Sequence, residues 1–322
     1  MFLKTTFLPT VALAIFILNS GCQKQGEESA QGTSQATSKL ASNTASAQNQ
    51  EWKDYWYNGD AELTSFSLKQ ARYGSYYEGQ AVQIFVTEPF SKSKLHKLNN
   101  PSANPKDAVS VLKLNFTRDF NTGIYPYKTM QSVFTPAELK SSDQSLKLTT
   151  SVQEWCGQMF MQLSARQAGG WAAESFSYFD GEGEADIDLD GVFLEDEVWT
   201  RIRINPKTLP TGEFEAIPSN LALRLNHLPT RTYKAKAALQ SSEDGLQEYL
   251  LEFPDIERSL RVSFGADFPF SIQGWKESFP SGYGSGRQIL TTEARRLKSI
   301  KLDYWSRNRP DDSAYRDMLG LN

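Results

Sequence analysis

Cysteine and histidine are nearly absent from this chain, which has two of each among 322 residues. So few thiol and imidazole side chains exclude a disulfide framework and a zinc cluster of Cys/His composition. An excess of positive charge is also missing, since 34 Lys and Arg face 38 Asp and Glu, for a net charge of −4. This balance excludes the strongly basic surface of a nucleic-acid-binding protein, and we expect no nucleic-acid partner.

Long apolar runs are limited to one short segment, residues 7–18 (FLPTVALAIFIL). A run of about a dozen residues is too short for a permanent transmembrane helix and is typical of a signal-peptide core. The small residues before Cys22 resemble the lipobox of bacterial lipoproteins, except for Asn19 where an aliphatic residue is usual. We predict a lipoprotein signal peptide over residues 1–21 and acylation of Cys22. The alternative is an ordinary secretory signal with an unmodified Cys22.

The segment after Cys22 changes composition at once. Residues 23–50 contain one large apolar residue, Leu40, and consist mostly of Gln, Ser, Thr, Ala and Asn. They cannot bury enough apolar surface to offset the entropy of ordering, so we predict a flexible, lipid-anchored tether over residues 22–50. Gln23, rather than Asp, follows the cysteine, and by resemblance to known sorting rules this favours the bacterial outer membrane. The periplasmic and the cell-surface side both stay open.

Alternation of apolar and polar residues recurs through the remaining residues 51–322. This pattern places one face of a strand on a core and the other in water, as in antiparallel sheets. Turn sequences with glycine separate the segments and predict on the order of fourteen strands. We predict a single, mainly β domain, built as a large antiparallel half-barrel or two-sheet sandwich with a few short helices. The alternating segments include residues 82–86, 112–116, 146–152, 198–204, 221–225, 233–239 and 260–264.

Helix signals are few, and they predict short helices at residues 135–139, 192–199 and 311–319. No alternation of strands and helices points to a parallel α/β sheet. The Gly169-Gly170 pair and residues 206–210, which hold two prolines, are candidate joints if the domain divides in two.

Four blocks of the sequence resemble a family of Bacteroidota lipoproteins whose members often carry the label septum formation inhibitor Maf. The Ser-Pro-Arg-Arg motif of true Maf nucleotide pyrophosphatases is absent, since the nearest match, residues 40–44, lacks Pro-Arg-Arg. The resemblance spans most of residues 51–305 and implies lineage and an envelope location, but no particular activity. The blocks are residues 88–94 (EPFSKSK), 121–127 (NTGIYPY), 153–157 (QEWCG) and 195–201 (EDEVWTR).

Aromatic residues cluster where the predicted tether ends, at Trp52, Tyr55, Trp56 and Tyr57. Consecutive aromatic side chains can form a stacking platform for sugar rings. The alternative is an edge strand whose aromatic residues pack the mouth of the domain. The first interpretation makes the protein a glycan-binding surface lipoprotein.

A calcium-loop pattern, D-x-D-x-D-G-x5-E, is formed by Asp186, Asp188, Asp190 and Glu197. The segment before it predicts a strand and a glycine turn rather than the entering helix of such a loop. We therefore prefer an exposed acidic strand, a glycine turn and a short helix that begins near Phe193. Bound Ca²⁺ stays the alternative and is the one cofactor that the sequence suggests.

No catalytic residue is predicted. Cys156 beside His227 would be a nucleophile and base, but we interpret this cysteine as a small buried apolar residue. An envelope-polymer hydrolase would need carboxylates such as Glu154, Glu195 or Glu197, without a defined pair among them.

One further motif resembles a known modification site. Asp312-Ser313-Ala314 resembles the O-glycosylation acceptor of exported Bacteroidota proteins, which makes Ser313 a candidate site.

The function that these features favour is a membrane-anchored envelope lipoprotein with a non-enzymatic ligand-binding or structural β domain. An open apolar cavity of several hundred Å³ would indicate lipid-like cargo, while a filled core favours a structural role. Glycan binding is the first alternative and hydrolysis of an envelope polymer the second.

Overall fold

The computed structural model describes residues 50–140, 142–180, 182 and 185–321. The predicted signal peptide, Cys22 and all of the predicted tether except residue 50 lie outside these residues. Within the described residues, fifteen strands form one sheet in the order β8-β7-β6-β5-β4-β3-β2-β1-β15-β14-β13-β12-β11-β10-β9, and only β9 and β10 pair in parallel. The predicted mainly β fold is confirmed, and the single sheet selects the half-barrel over the two-sheet sandwich. The strands are β1 (Ala61–Arg72), β2 (Ser75–Ser91), β3 (Ala108–Thr122), β4 (Tyr125–Pro136), β5 (Lys147–Glu154), β6 (Gly157–Ala165), β7 (Trp171–Ser177), β8 (Ala185–Leu189), β9 (Phe193–Leu194), β10 (Gly212–Ile217), β11 (Tyr233–Ser241), β12 (Leu246–Phe253), β13 (Arg258–Gly265), β14 (Ile272–Ser281) and β15 (Gln288–Leu302).

The sheet is strongly curved, because side chains of strands that are four places apart in it touch each other. In a flat sheet β3 and β14 would be separated by about 19 Å. The ring centroids of Phe116 and Trp275 on these strands are only 5.1 Å apart. Residues 190–192 alone join the two edge strands, β8 and β9, and hold their adjoining ends within about 14 Å. The sheet therefore nearly closes around an interior.

Two short helices fill this interior, α2 (Val198–Ile204) and α3 (Asn220–Leu225), and every residue of both is buried. The alternation in residues 198–204 and 221–225 predicts strands, and that prediction is wrong. The apolar and the polar residues that alternate along α2 are all buried, because the helix lies inside the curled sheet. Its two arginines are neutralised there by buried carboxylates. Alternation alone does not distinguish a half-exposed strand from a helix whose charges are paired inside.

The two ends of the curled sheet are built differently. The upper end carries the turns from β1 to β2, β3 to β4, β5 to β6 and β14 to β15, and α3 lies at this end between β10 and β11. The lower end is covered by helix α1, residues 50–56. There Thr87 Oγ1 donates a hydrogen bond of 2.7 Å to the carbonyl oxygen of Trp56, and the Lys301 ammonium donates to that of Tyr55. The chain thus enters the described domain at its lower end.

The remaining helix predictions have mixed outcomes. Residues 135–139 are not helical, because β4 continues to Pro136, which needs no amide hydrogen at a strand end. The C-terminal helix is confirmed as a 3-10 turn followed by α4 (Ala314–Met318), and the chain after α4 packs on the outer face of β1 and β2.

None of the described helices is long and apolar enough to cross a bilayer. Neither candidate joint divides the sheet.

Candidate functional site

The aromatic cluster predicted as a sugar platform lies in α1 and just after it. We call it the lower cluster: Trp52, Tyr55, Trp56 and Tyr57. Trp52 and Trp56 are only 9% and 1% exposed, and the Trp56 ring packs on Phe85 and against the Arg203 guanidinium, 5.1 Å from the ring centroid. The indoles therefore belong to the core and leave Tyr57 as the exposed member. They pack the end of the domain, as the alternative interpretation holds, but from a helix rather than an edge strand.

A buried ion pair extends the lower cluster into the interior. The Glu62 carboxylate accepts hydrogen bonds from both terminal nitrogens of Arg203, one of them 2.7 Å from Oε2, and from the Tyr55 hydroxyl. Burial by itself would raise the pKa of Glu62, but the charge and hydrogen bonds of Arg203 outweigh it and lower the pKa to about 2. Glu62 is therefore ionised at neutral pH and fixes the position of α2.

The carboxylates considered for hydrolysis do not converge in a cleft. Glu195 and Glu197 are buried and form ion pairs with Arg258 and Arg201, at 2.9 Å from Arg258 Nε and 2.9 Å from Arg201 Nη2. Glu154 lies instead at the β5–β6 turn. The two buried pairs hold the interior together and are not placed as an acid and a base beside a substrate.

One interior carboxyl group is not paired with a cation. Asp196 accepts hydrogen bonds from Gln131 Nε2 at 2.8 Å and from the backbone N–H of Asn220 at 3.0 Å. Burial, with the neighbouring charge of Glu195, raises the pKa of Asp196 to about 6.

The four predicted calcium ligands are not brought together. Asp186 and Asp188 project from the exposed edge strand β8, Asp190 follows it, and the buried Glu197 is held by Arg201. No group of three or more His, Cys, Asp or Glu side chains suited to a metal occurs within residues 50–140, 142–180, 182 and 185–321. The acidic strand and glycine turn that we preferred are present, with the helical segment beginning at Glu195. Charged residues on an edge strand also discourage pairing with another sheet.

The remaining candidate residues lie on the surface. Cys156 is exposed in the β5–β6 turn, so its predicted burial is wrong, because a hairpin turn has no second layer to cover it. The neighbouring Glu154 carboxylate raises the pKa of the Cys156 thiol, which disfavours a nucleophilic thiolate. His227 is also exposed, and its Nδ1 is hydrogen-bonded to Glu182. Ser313 is exposed at the end of the C-terminal 3-10 turn.

Five aromatic rings run across the upper end of the sheet. We call them the aromatic row, in order Trp155, Tyr125, Tyr127, Tyr73 and Tyr283. Neighbouring ring centroids are 6.4, 5.9 and 6.1 Å apart for the first, second and last pairs, and the hydroxyls of Tyr127 and Tyr73 are 2.6 Å apart. The two ends of the row are accessible, since Trp155 is 69% and Tyr283 is 71% exposed, whereas Tyr127 in the middle is 2% exposed and belongs to the core.

The upper end also concentrates the exposed apolar surface of the described chain. Four large apolar side chains are more than two-thirds exposed, and all of them lie in turns or loops at this end: Ile124, Trp155, Tyr178 and Tyr283. Single exposed apolar residues are ordinary, but a concentration at one end of a molecule marks a binding surface.

Two clefts open beside the ends of the row. The outer groove, at the Trp155 end, has a volume of about 1040 Å³ and is lined by Tyr178, Phe160 and Phe176 together with Gln153 and Gln158. At the other end is the tyrosine cleft, with a volume of about 470 Å³. It is lined by Tyr73, Tyr283, Arg72, Arg287 and His227, among others.

The glycine at position 157 shapes the outer groove. A Cβ atom at Gly157 would lie 2.6 Å from the ring of Tyr178, which shows that this ring rests directly on the backbone of the turn.

Much of the interior between the ends is occupied by α2 and α3. A narrow recess of about 40 Å³ lies beside α3, and a cleft of about 440 Å³ reaches the core side chains Met161 and Leu223. The outer groove and the tyrosine cleft open at the upper end.

The sequence did not reveal the aromatic row, because its members are separated by up to 210 positions in the chain. One signal was available: Tyr73 and Tyr283 stand directly beside a turn glycine and Trp155 stands two positions before one, in turns where a large aromatic side chain has little core to enter.

Comparison with known proteins gives a distant structural similarity. No family model and no curated protein matches the chain. Its structure is similar to a crystal structure of a beta-barrel-like protein of domain of unknown function DUF1849 from Brucella abortus, with 10% sequence identity and a TM-score of 0.42, over 76% of this chain and 98% of that one.

Proposed function

We propose that this protein is a membrane-anchored, non-enzymatic envelope lipoprotein that binds a glycan on the exposed rings at the two ends of the aromatic row, at its upper end. The observation that carries the proposal is the row itself, five neighbouring rings with exposed ends and an open cleft beside each end. A site of this length suits an extended chain better than a single small molecule.

The chemistry of the outer groove supports a sugar ligand. A pyranose ring presents C–H groups on its face, which pack on aromatic rings, and hydroxyl groups on its edge, which need donors and acceptors. Trp155 and Tyr178 offer the first kind of contact, and Gln153, Gln158 and Glu154 line the same groove and offer the second. Aromatic walls with a few polar groups are also the usual composition of a ligand site.

Lipid-like cargo inside the half-barrel has less support. An acyl chain needs a continuous apolar cavity, and the interior is instead occupied by α2, α3 and three buried ion pairs. The recess of about 40 Å³ has room for only a few water-sized groups.

The proposed anchor complements this arrangement. A lipid on Cys22 and a flexible tether of about 30 Å would keep the domain near the outer membrane, within reach of envelope polymers. Labelled palmitate should be incorporated into the wild type and not into Cys22→Ser, and retention of label in the variant would refute acylation at Cys22.

Glycan-array screening followed by calorimetry on the best ligand tests the binding proposal. Truncation of an exposed stacking residue is expected to weaken binding by about tenfold or more, which corresponds to about 1.4 kcal/mol. We expect this from Trp155→Ala and from Tyr283→Ala. Trp305→Ala is the matched control, since this tryptophan is 50% exposed and follows β15 at the lower end.

Two results would contradict the proposed glycan site. Equal losses from the control and the row variants would place the site elsewhere. An array without binding, together with lipid that copurifies with the native protein, would replace the glycan proposal with a lipid-binding one.

A further inference from the structure

The connection between β2 and β3, residues 92–107 at the lower end, is a basic loop in an acidic protein. It contains four lysines and one acidic residue, Asp107, while the whole chain has a net charge of −4. Residues 89–106 contain neither Asp nor Glu, and the four lysines are all exposed. We call residues 92–107 the lysine loop, and its lysines are Lys92, Lys94, Lys97 and Lys106.

Backbone hydrogen bonds hold these lysines in one region. The N–H of Lys92 donates to the carbonyl oxygen of Asp107 at 2.9 Å, so Lys92 lies beside Lys106. The N–H of Lys94 donates to Ser91 Oγ, also at 2.9 Å. The fold of the loop thus depends on its backbone and on short polar side chains, and the long lysine side chains are left for contact with a partner.

Most of this positive charge has no counter-charge within reach. Of the four lysines, only Lys97 lies within ion-pair distance of a carboxylate in the described part of the chain, at 3.4 Å from Glu88. The ammonium groups of the other three are in water. Their substitution should therefore remove no contact that stabilises the fold.

The lysine loop lies next to the point where the chain enters the domain. Tyr57, directly after α1, donates from its hydroxyl to Ser110 Oγ at 2.9 Å. Ser110 is paired with Pro89 across β3 and β2, and the carbonyl oxygen of Pro89 accepts from the N–H of Leu98 in the loop at 2.8 Å. The segment that follows the proposed tether therefore runs beside the loop.

Two half-exposed aromatic rings, Tyr57 and Trp305, accompany the lysines. Trp305 packs against Tyr304, with ring centroids 5.4 Å apart. Burial raises the pKa of Tyr304, and the nearby charges of Glu88 and Lys97 act on it in opposite directions, which places this tyrosine near the loop. Tryptophan, tyrosine and lysine are the residue types that proteins place where water meets lipid.

We propose that the lysine loop binds the anionic headgroups of a phospholipid bilayer and turns this side of the domain towards the membrane. The inference rests on the membrane anchor proposed above and not on the glycan site. A flexible tether keeps the domain near a membrane without fixing which side faces it, and the loop fixes that side. Because the tether also keeps the effective concentration of the surface high, a weak contact is enough.

The size of the effect follows from the number of lysines. A lysine beside an anionic surface strengthens binding by about fivefold, so the three unpaired lysines together give roughly a hundredfold. Glu51 and Asp54 in α1 are exposed near the chain entry and oppose this attraction, so the loop rather than the whole lower end faces the lipid. Exposed charges are also screened by salt, which makes the contact sensitive to ionic strength.

Vesicle cosedimentation tests this inference with the chain from residue 22 onwards carrying Cys22→Ser, so that no acyl group contributes. We expect this chain to bind vesicles with about 30% phosphatidylglycerol about tenfold or more tightly than pure phosphatidylcholine vesicles at about 0.05 M salt. The difference should disappear at about 0.5 M salt, where the Debye length is only about 4 Å.

Two triple variants with the same loss of charge locate the contact. The loop variant should bind the anionic vesicles about tenfold or more weakly than the chain with Cys22→Ser alone, because it removes the unpaired ammonium groups. The control variant changes three exposed lysines of β11 and β14 and should weaken binding by less than about threefold. In the Cys22→Ser chain, the loop variant is K92Q, K94Q and K106Q, and the control variant is K234Q, K236Q and K276Q.

Several results would overturn the inference. Equal binding of the Cys22→Ser chain to the two kinds of vesicle, or binding to neither, does so and needs no further variant that folds. Equal losses from the loop and control variants do so as well, since net charge rather than the loop would then be responsible. Acylation of Cys22 and glycan binding are measured separately, by palmitate labelling and by glycan affinity, so their failure is distinguishable from failure of the lysine loop.

Discussion

The lower cluster and the aromatic row use the same residue types at opposite ends of one sheet, with opposite results. In the lower cluster, Trp52 and Trp56 lie one helical turn apart, and their rings enter the core. In the row, Trp155 and Tyr283 come from separate turns, and their rings are mostly exposed. The difference shows that aromatic residues close together in sequence can be packing residues, while residues far apart can assemble a surface.

The physical reason is the backbone on which each set stands. A helix that covers the end of a curved sheet turns one face inward, and large rings on that face gain the most from burial. A tight turn at a sheet end has nothing above it, so a ring there stays exposed unless another turn covers it. The following predictions test whether the lower cluster is structural and the row functional, beginning with the largest effect.

Trp56→Ala should have the largest effect on stability. The side chain is 1% exposed and packs against Tyr55, Phe85 and Arg203, so its removal should lower the free energy of unfolding by about 3–5 kcal/mol. Urea denaturation measures this loss. If Trp56→Ala unfolds at the wild-type midpoint and weakens glycan binding, the assignment of roles to the two clusters is reversed.

Glu62→Gln should cost a similar amount, because it leaves Arg203 buried without a counter-charge, which typically costs about 3–5 kcal/mol. The double variant Glu62→Leu, Arg203→Met should recover much of the loss. Asp303→Asn, which breaks an exposed pair with Arg307, is the control and should change stability far less.

The same pair predicts a response to acid. Because the pKa of Glu62 is lowered to about 2 in the folded protein, its stabilising contribution is present above the ordinary pKa of 4.5 and is lost as the pH falls towards 2. Glu62→Gln should lack this part of the acid sensitivity, and identical acid transitions for the variant and wild type would contradict the assignment.

Asp196, in the interior between the two ends, should produce a smaller effect with the opposite dependence on pH. Its folded pKa of about 6 lies above the ordinary 3.8, so its contribution is greatest at low pH and is lost as the pH rises through 6. We expect wild type to lose about 1–2 kcal/mol from this group between pH 5 and pH 8. Asp196→Asn should lose less stability than wild type between pH 5 and pH 8, whatever the absolute stability of the variant.

Trp155→Ala and Tyr283→Ala should have the smallest effects on stability, within about 0.5 kcal/mol, because the removed rings are mostly in water. Thermal unfolding and glycan affinity should be measured on the same preparations of each variant. A large drop in melting temperature would mean that the row supports the upper end of the fold rather than a ligand.

The fold was largely accessible to sequence reasoning, and the candidate site was not. Alternation in residues 112–116, 233–239 and 260–264 correctly predicts strands. Successive side chains of a strand point to opposite faces, so a strand with one solvent-exposed face has a polar residue at every second position. In residues 198–204 the same alternation failed, since the partner of Arg203, Glu62, lies 141 positions earlier in the chain.

Local sequence patterns were enough to establish the mainly β composition of this protein and the charged edge strand β8. These properties depend on local periodicity and on side-chain polarity, which any stretch of chain displays without its partners. Long-range packing was needed to show that α2 and α3 are helices inside the sheet, that Trp56 is a core residue, and that the rings of the aromatic row meet. Each of these outcomes depends on which distant strands the curvature brings together, and curvature is a property of the whole sheet.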